Sequence, residues 1–293
     1  MPSSEDFEKV HGVFTRIARS YDLMNDLESL GLHRLWKARL VRELSRAQPR
    51  RILDVACGTG DIALALARAN PEAEVTGLDF NESMLEIARR RAARELPLGF
   101  VVKVRPEAVQ SSPATAARAE ESSGAQCATS EGGASSAETE LRPSCRGVWV
   151  QPTNRLRFVL GNALELPYAD GSIDAVSISF GLRNMPSYAS VLAEIYRVLR
   201  PGGRFRCLEA SYPEGRLVRP PFRLYFKYWL PVLGKLVVDS PGEYSWLNTS
   251  TEAFLSKGEL AELMRQTGFT QVSYTSFLLG AAALHRGCKH RVS

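Results

Sequence analysis

The sequence lacks a long apolar segment. Although 44% of its 293 residues are hydrophobic, no run approaches the ~20 residues that a membrane-spanning helix needs. The first residues, Met1–Glu8, are acidic and contain no apolar stretch, so they match neither a secretory signal nor an Arg-rich transit peptide. We therefore expect a cytoplasmic globular protein without a membrane-spanning anchor.

The sequence also lacks paired cysteines. Its five cysteines, at positions 57, 127, 145, 207 and 288, are scattered and include no C-x-x-C pair. This spacing argues against a structural zinc site and against a disulfide framework, and it is typical of proteins in a reducing compartment. No metal site is predicted, and no internal repeat is visible.

Charge is not concentrated in one tract. The formal net charge is +5 at pH 7, which favours an anionic partner, either nucleic acid or a bilayer surface. Because the arginines are spread over the whole chain, we do not predict nucleic-acid binding, and we expect peripheral contact with a membrane. The sequence does not indicate an oligomeric state.

The chain divides into three regions by composition and hydrophobic pattern. Residues 7–41 have apolar positions at helical spacing, interrupted at Gly31, and we take residues 1–45 as a helical cap over the substrate. Residues 46–293 form the main domain. Within it, residues 102–152 are dominated by Ser, Ala, Glu, Gly, Thr and Pro, which predicts a disordered insertion in a surface loop.

Outside the insertion, strands and helices alternate. The pattern predicts a mostly parallel sheet with helices on both faces, ending in an antiparallel hairpin around Gly280. Asn81 or Ser83 is expected to cap a helix, and Gly268 to end another. The predicted elements are strands at 51–55, 73–79, 156–160, 173–179, 204–210, 271–278 and 281–286, and helices at 61–68, 82–95, 188–199 and 259–267.

The most informative segment is a strand that leads into a glycine turn. Residues 51–60, Arg-Ile-Leu-Asp-Val-Ala-Cys-Gly-Thr-Gly, are followed by a predicted helix. Gly58 and Gly60 let a ligand approach the backbone, and the N–H groups that open the helix favour a carboxylate or phosphate. Asp79, which ends the next strand, can accept hydrogen bonds from the hydroxyls of a ribose. The pattern predicts a nucleoside with an anionic tail.

Two cofactor classes fit this pattern. Residues 58–63 match the dinucleotide fingerprint G-x-G-x-x-A, which leaves an NAD-dependent dehydrogenase as an alternative. Asp54 opposes that reading, because a carboxylate inside this strand would repel a pyrophosphate but could bind an amine. S-adenosylmethionine (SAM) has an amine, a carboxylate and a ribose, so a SAM-dependent methyltransferase is preferred.

Further candidate residues follow the third and fourth strands, where ligands of open parallel sheets bind. Asn162 and Ala163 would flank the adenine, and Ser179–Asn184 would face the reacting methyl group. Arg183 comes just past an apolar strand, which places it in the cleft or on its rim. Asn162 could instead simply form a turn, and Ser179–Asn184 an ordinary loop, whereas Arg183 is harder to explain in that way.

Long signatures in the sequence resemble the UbiE/MenG family of quinone-ring C-methyltransferases. They are Val13–Asp26 (VFTRIARSYDLMND) with Ser29–Lys37 (SLGLHRLWK), Ile178–Asn184 (ISFGLRN), Arg197–Phe205 (RVLRPGGRF) and Ala283–Gly287 (ALHRG). The N-terminal signature is long and specific, whereas RVLRPGG occurs in many class I methyltransferases. The resemblance covers nearly all of the chain except residues 102–152.

The resemblance implies a class I SAM-dependent fold with a seven-stranded sheet. It also implies a quinone site built partly from the N-terminal helices. The cofactor contacts that it implies are Thr59, Asp79, Asn162, Ala163 and Ser179, and the candidate substrate residues are Tyr21, Asp22, Asn25 and Asp26.

The acceptor that the resemblance favours is the ring of a polyprenyl quinol, with demethylmenaquinol preferred. Alternatives are the ubiquinone-pathway benzoquinol, another small acceptor such as a sterol, and a non-enzymatic scaffold. A ring carbon is a better nucleophile in the quinol than in the quinone, so we expect the reduced form to react. Arg183 and Asn184 are the candidate catalytic residues, which would polarise the quinol oxygens or hold a water. Arginine cannot serve as a general base, because its guanidinium group stays protonated in proteins.

A polyprenyl tail resides in the bilayer, so the enzyme must reach it. Residues 216–235 carry aromatic side chains at helical spacing together with basic residues. Such a helix can lie in an anionic interface, and it can equally cover the active site. The expected location is therefore the cytoplasm, with peripheral contact at the inner face of the plasma membrane.

Overall fold

The computed structural model describes residues 25, 26, 29, 31–96, 155–211, 213, 215, 220, 224 and 254–291, and the backbone of residues 101–102. The candidate residues Tyr21 and Asp22 lie outside the described residues. The same holds for almost all of the predicted insertion at 102–152 and of the predicted aromatic helix at 216–235. The predicted division into a cap (1–45) and a main domain (46–293) stays a prediction.

The described elements alternate as expected. The helices are α1 (His33–Ser45), α2 (Asp61–Ala69), α3 (Glu82–Glu95), α4 (Tyr188–Val198) and α5 (Lys257–Thr267). The strands are β1 (Arg51–Val55), β2 (Glu74–Asp79), β3 (Val101–Val102), β4 (Leu156–Leu160), β5 (Ile173–Ser179), β6 (Leu199–Ala210), β7 (Thr270–Phe277) and β8 (Ala282–Cys288). Single 3₁₀ turns span Leu182–Asn184 and Leu278–Gly280.

All described strands belong to one sheet, in the order β3-β4-β2-β1-β5-β6-β8-β7. The pairs from β3 to β6 are parallel, and β8 pairs antiparallel with both β6 and β7. The predicted fold class, a mostly parallel sheet with a C-terminal antiparallel hairpin, is confirmed. The two-residue strand β3 adds an eighth member at one edge. Since β1 lies between β2 and β5, the strand order reverses beside β1, where ligands of such sheets bind.

Two hydrophobic clusters cover the two faces of the sheet. Successive side chains of a strand point to opposite faces, and β1 shows this, with Ile52 in one cluster and Leu53 in the other. Leu40 and Leu44 of α1 pack with Ile52 in the first cluster. The helices α4 and α5 contribute to the second. Burial on both faces explains why the central strands read as continuous apolar runs.

Two predicted helix boundaries are confirmed by their caps. The side chain of Asn81 accepts a hydrogen bond of 3.2 Å from the Met84 N–H at the start of α3. Gly268 adopts the left-handed conformation at the end of α5. The start of α5 carries a reciprocal capping box between Ser256 and Glu259.

The helix α1 is fixed to the sheet through one carboxylate. Glu43 accepts hydrogen bonds of 2.7 Å from both Nε and Nη2 of Arg286, and bonds of 3.2 Å from Arg206 and Arg39. Although burial alone would raise it, the bonds from Arg286 and Arg39 lower the pKa of Glu43 to about 2. Strands β6 and β8 therefore hold the last turns of α1.

Candidate functional site

A cleft opens at the carboxyl ends of β1, β2, β4 and β5. It consists of two adjoining depressions that enclose about 390 and 400 Å³, part of it open to solvent. Both depressions are lined by Ala56, Asp79, Phe80, Asn184 and Met185. The remaining lining residues are Leu78, Gly161, Asn162, Ala163 and Pro186 in one, and Gly58, Met84, Phe180 and Gly181 in the other.

The glycine turn after β1 is closely packed. Gly60 precedes α2 in the left-handed conformation (φ +85°), and a Cβ at this position would lie 2.9 Å from the Cβ of Ala88. Any larger residue would therefore push α2 away from α3. Asp61 follows as the first residue of α2, so the helix N-terminus faces the end of the sheet where the cleft lies.

Asp79 connects the ends of β1 and β2. Its Oδ2 accepts a bond of 2.8 Å from the Gly58 N–H, and its Oδ1 accepts one of 3.0 Å from the Asn81 N–H. The side chain is 5% exposed and lines both depressions. These bonds fix the orientation of the carboxylate at the cleft. This arrangement suits the predicted ribose contact.

Asp54 is a buried acid with an altered ionisation. Its Oδ1 accepts a bond of 2.7 Å from the Ser177 hydroxyl, and its Oδ2 has no hydrogen-bond partner within the described part of the chain. Burial raises the pKa of Asp54 to about 7 against the opposing hydrogen bond from Ser177. A buried carboxylate with an unused oxygen is suited to bind an ammonium group.

Two non-glycine residues at the cleft adopt unusual backbone conformations. Ala56, after β1, has φ +53°, and Phe180, after β5, has φ +55°. A Cβ on the neighbouring Gly181 would lie 2.6 Å from the Cβ of Ala56, so only glycine allows these two turns to approach. Such strained positions concentrate at functional sites.

The turn after β5 places Asn184 at the cleft. Both its Oδ1 and its Nδ2 are buried and have no hydrogen-bond partner among the residues described. The hydroxyl of Ser179, a predicted cofactor contact, is likewise buried and unpaired in the described part. Unsatisfied buried polar atoms beside a cleft indicate groups that a ligand completes.

Arg183 lies behind this turn and does not belong to the lining. Its side chain is 2% exposed, and its Nη1 contacts the Oε1 of Glu209. The same Nη1 donates a bond of 3.0 Å to the carbonyl of Phe180. Glu209 is also buried, and it accepts bonds from the N–H groups of Arg183 (3.3 Å) and Ala210 (2.9 Å). The pair thus holds the turn between Phe180 and Asn184.

The remaining predicted cofactor residues lie around the cleft. Asn162 and Ala163 line one depression, and Asn162 Oδ1 accepts a bond of 3.0 Å from the Leu164 N–H. Thr59 is 3% exposed, and its hydroxyl accepts a bond of 3.2 Å from Arg91 Nη1.

The two described N-terminal candidates differ in how their side chains are paired. The carboxylate of Asp26 forms two bonds with Arg34, of 3.0 and 2.6 Å. Asn25 is buried; its backbone carbonyl accepts a bond of 2.6 Å from Ser29, whereas its side-chain Nδ2 has no hydrogen-bond partner among the described residues. Neither residue lines the two depressions, and their role in substrate binding stays a prediction.

The sequence reasoning missed several residues at the site. Phe80 and Met185 line both depressions and Met84 lines one; their positions next to strand ends or helix starts were the available signal. Glu209 and Lys37 were also missed. Both contact the site through long-range pairing, which a single sequence does not reveal.

Three further features of the described part of the chain concern metal ligands, membrane-spanning helices and cysteines. Within it, no group of three or more His, Cys, Asp or Glu side chains could hold a metal ion. No helix among these residues is both long and apolar enough to cross a membrane. The cysteines at 57, 207 and 288 carry free thiols.

Comparison with protein-family models gives one match over most of the chain. The model described as the ubiE/COQ5 methyltransferase family matches residues 3–112 and 138–289. The demethylmenaquinone methyltransferase of Staphylococcus aureus (strain JH9) is 34% identical over 285 residues, covering 97% of this chain and 94% of that protein.

Solved structures show the same fold at low sequence identity. A protein of Methanococcus maripaludis, described as an S-adenosyl-L-methionine-dependent methyltransferase, has a TM-score of 0.53 and 14% identity, covering 95% of this chain and 94% of that one. A SAM-dependent methyltransferase of Thermotoga maritima has a TM-score of 0.51 and 18% identity, covering 96% and 99%. The similarity supports the class I methyltransferase fold.

Proposed function

Because the chain belongs to the ubiE/COQ5 methyltransferase family, we propose that it transfers the methyl group of SAM to a ring carbon of demethylmenaquinol. The single observation that carries the choice of acceptor is the 34% identity to a demethylmenaquinone methyltransferase over 97% of the chain. Membership in the family makes the chain a SAM-dependent methyltransferase, so the dehydrogenase and scaffold alternatives are not pursued.

The residues of the cleft fit the parts of this cofactor. Asp79 would accept bonds from the ribose hydroxyls, and Asp54 would bind the amine. Asn162 and Ala163 would lie beside the adenine, where Phe80 and Met185 add apolar surface. The glycine turn from Gly58 to Gly60, with Thr59 between, would follow the methionine part, and Ser179 would complete the contact set.

We propose different roles for the two candidate catalytic residues. Asn184 has unpaired amide atoms at the cleft, so it would contact a quinol oxygen or hold the water that accepts the ring proton. Arg183 is engaged by Glu209 behind the turn, so it would act by positioning Asn184. The bound cofactor supplies an electrophilic methyl group, and alignment of the quinol with it would provide much of the acceleration.

Reduction of the acceptor is essential to the proposal. In the quinol, the hydroxyl beside the reacting carbon donates electron density into the ring, whereas the quinone carbonyl withdraws it. Incubation with methyl-labelled SAM and either chemically reduced or oxidised demethylmenaquinone, followed by extraction of the lipid phase, tests this. We expect label only with the reduced form.

The same assay distinguishes acceptors. A ubiquinone-pathway benzoquinol, run in parallel, should accept less label than demethylmenaquinol. Label in the benzoquinol alone would overturn the choice of ring and leave the reaction class intact. No label in any quinol, with normal SAM binding, would require a different acceptor.

We also propose peripheral contact with the inner face of the plasma membrane, because the substrate tail resides in the bilayer. The net charge of +5 favours anionic lipid. Sedimentation with phosphatidylglycerol vesicles should bring the protein down at low salt and release it at high salt. Failure to sediment with any vesicle would contradict this part.

A further inference from the structure

Lys37 extends from α1 to the start of α2. Its Nζ donates a bond of 2.9 Å to Asp61 Oδ2, and its side chain is 13% exposed. The ammonium also lies 6.0 Å from the centroid of the Phe180 ring. Since Phe180 lines the cleft and Asp61 directly follows the glycine turn, Lys37 brings a positive charge from α1 to the methionine end of the site.

Lys37 shares its carboxylate partner with a second cation. Asp61 is also bound by Arg91, whose Nη2 lies 2.5 Å from Asp61 Oδ1. Asp61 therefore contacts two cations at a helix N-terminus, which itself favours an anion, and Arg91 has a further partner in Glu95, 3.6 Å from its Nε. Only one of the three N–H donors of Lys37 has a partner among the described residues. The unused donors are suited to a carboxylate.

Asp54 supplies the opposite charge nearby. It is 1% exposed, its Oδ2 is unpaired within the described residues, and the charge of Lys37 is close enough to affect its ionisation. Neither side chain lines the two depressions, but Asp54 precedes Ala56 by two residues and Lys37 lies against Phe180, and both Ala56 and Phe180 are lining residues. A buried anion and a partly buried cation behind the same end of the cleft match a zwitterion, in which an ammonium and a carboxylate share one carbon.

We propose that Lys37 binds the carboxylate of the cofactor's amino-acid group while Asp54 binds its ammonium, so that α1 is part of the cofactor site. This inference rests on the proposed function, since it takes the cofactor from it. It adds a binding residue outside the glycine motif, and it makes cofactor binding depend on the position of the N-terminal helix.

Two ligands separate recognition of the zwitterion from recognition of the nucleoside. S-adenosylhomocysteine carries the amino-acid group, and 5′-methylthioadenosine keeps the adenosine and sulfur but lacks that group. The variant Lys37→Met removes the charge and keeps most of the side-chain stem. By calorimetric titration, we expect it to weaken binding of S-adenosylhomocysteine by ~10- to 100-fold, as for loss of a charge-assisted hydrogen bond, and to leave methylthioadenosine binding unchanged.

Lys289→Met is the matched control. Lys289 also pairs with an aromatic ring, 4.8 Å from the centroid of Tyr196, and donates to the Tyr196 carbonyl. Unlike Phe180, the ring beside Lys37, Tyr196 does not line the cleft. The control variant should bind both ligands as the unaltered protein does. If Lys37→Met does not fold, Lys37→Arg, which keeps the charge, should retain binding of S-adenosylhomocysteine within a few-fold.

Other outcomes overturn the inference in distinguishable ways. Equal weakening of both ligands by Lys37→Met would show that Lys37 only shapes the glycine turn. Unchanged affinity for both would remove Lys37 from the site. Failure of the unaltered protein to bind S-adenosylhomocysteine would contradict the cofactor assignment of the proposed function itself.

Discussion

The ion pair between Arg183 and Glu209 determines how the catalytic turn can be tested. Both side chains are almost fully buried, so removing one leaves an uncompensated charge, which typically costs ~3–5 kcal/mol of folding free energy. We expect Arg183→Met and Glu209→Leu each to lower the free energy of unfolding by about this amount. The double variant should lose less than the sum, as measured by urea denaturation.

The exposed pair of Arg68 and Glu95 provides the control for this cycle. Its side chains are 49% and 36% exposed, and breaking it should cost less than ~1 kcal/mol. Additive losses at Arg183 and Glu209 would show that the two charges are not coupled. A consequence is that simple replacement of Arg183 by Ala confounds catalysis with folding.

Glu209→Gln tests the positioning role directly. Glutamine keeps the shape and one acceptor but removes the charge that holds Arg183. We expect kcat to fall at least ~10-fold, because small misplacements of reacting groups have large effects on rate, while the Kd for S-adenosylhomocysteine stays within about twofold. A fall in cofactor affinity with normal kcat would contradict the role.

The ionisation of Asp54 predicts a pH dependence of cofactor binding. The free protein has a pKa of about 7 at this group because of burial, whereas binding of an ammonium requires the carboxylate. Affinity for S-adenosylhomocysteine should therefore rise with pH toward 7, by about tenfold per unit below it, and level off above. Titrations between pH 5.5 and 7.5 stay below the pKa of an α-amino group, ~7.7–8.0.

Several groups lie close enough to Asp54 to affect its titration, so a variant of Asp54 is needed to assign the pH dependence. Ser177 donates to it, and Lys37, Asp79 and the Ala63 N–H influence its ionisation. Asp54→Asn should bind more weakly at pH 7.5 and lose the pH dependence. A slope that persists in Asp54→Asn would assign the titration to another group.

At the residue scale, a site residue could be predicted from the sequence when it belongs to a short motif, and its role could not when its partner is distant in sequence. Asp54 and Asp79 could be identified because each belongs to a strand end in a short motif. Arg183 was predicted in the cleft or on its rim, but it is buried outside the lining, because it contacts Glu209, and that contact arises from pairing of β5 with β6. That register joins residues 26 positions apart, and periodicity contains no information on it.

At the scale of elements, the attachment of α1 to the sheet rests on Glu43. Glu43→Gln removes the charge that Arg286 and Arg206 share, and loss of such charge-assisted bonds should cost ~1.5–3 kcal/mol of folding free energy at pH 7. The pKa of Glu43 is lowered in the folded protein, so its stabilising effect is present above the unfolded pKa and is lost as pH falls toward 2.

Measuring thermal stability as a function of pH therefore tests this prediction. The difference in thermal midpoint between the unaltered protein and Glu43→Gln should be largest near neutrality and shrink as pH falls below the ordinary pKa of a glutamate side chain, ~4.3. A difference that is constant with pH would mean that shape, and not charge, makes Glu43 important.

Element boundaries were predictable where side-chain pattern and caps agree. The start of α3 follows from Asn81 and the end of α5 from Gly268. The start of β6 was predicted at residue 204 but lies at Leu199, because Leu199 pairs with Ile173 across a register irregularity; within this part of the strand Gly202 has a positive φ of 77°. Strand β3 was missed because two residues form no detectable pattern.

At the scale of the whole molecule, the sheet order explains why residues far apart in sequence form one cleft. The adjacent strands β4, β2, β1 and β5 end at the same edge and deliver Asn162, Asp79, Gly58 and Asn184 to it. The alternating pattern implied this edge, because parallel strands share their carboxyl ends. The ion pairs that bring Lys37 and Glu209 to the same edge could be found only in three dimensions.

The last prediction concerns residues 113–137, which lie between the two ranges matched by the family model. The chain around them keeps the strands and helices that form the cleft, and the entropy of closing a loop depends only weakly on its length. We therefore expect that replacing residues 113–137 with a six-residue Gly-Ser linker changes the free energy of unfolding by less than ~1 kcal/mol and leaves kcat unchanged. Urea denaturation and the labelled-methyl assay measure the two quantities on the same variant. Normal stability with a lower kcat would instead assign the segment a role in acceptor binding or turnover, whereas a loss of stability would show that it packs against the domain.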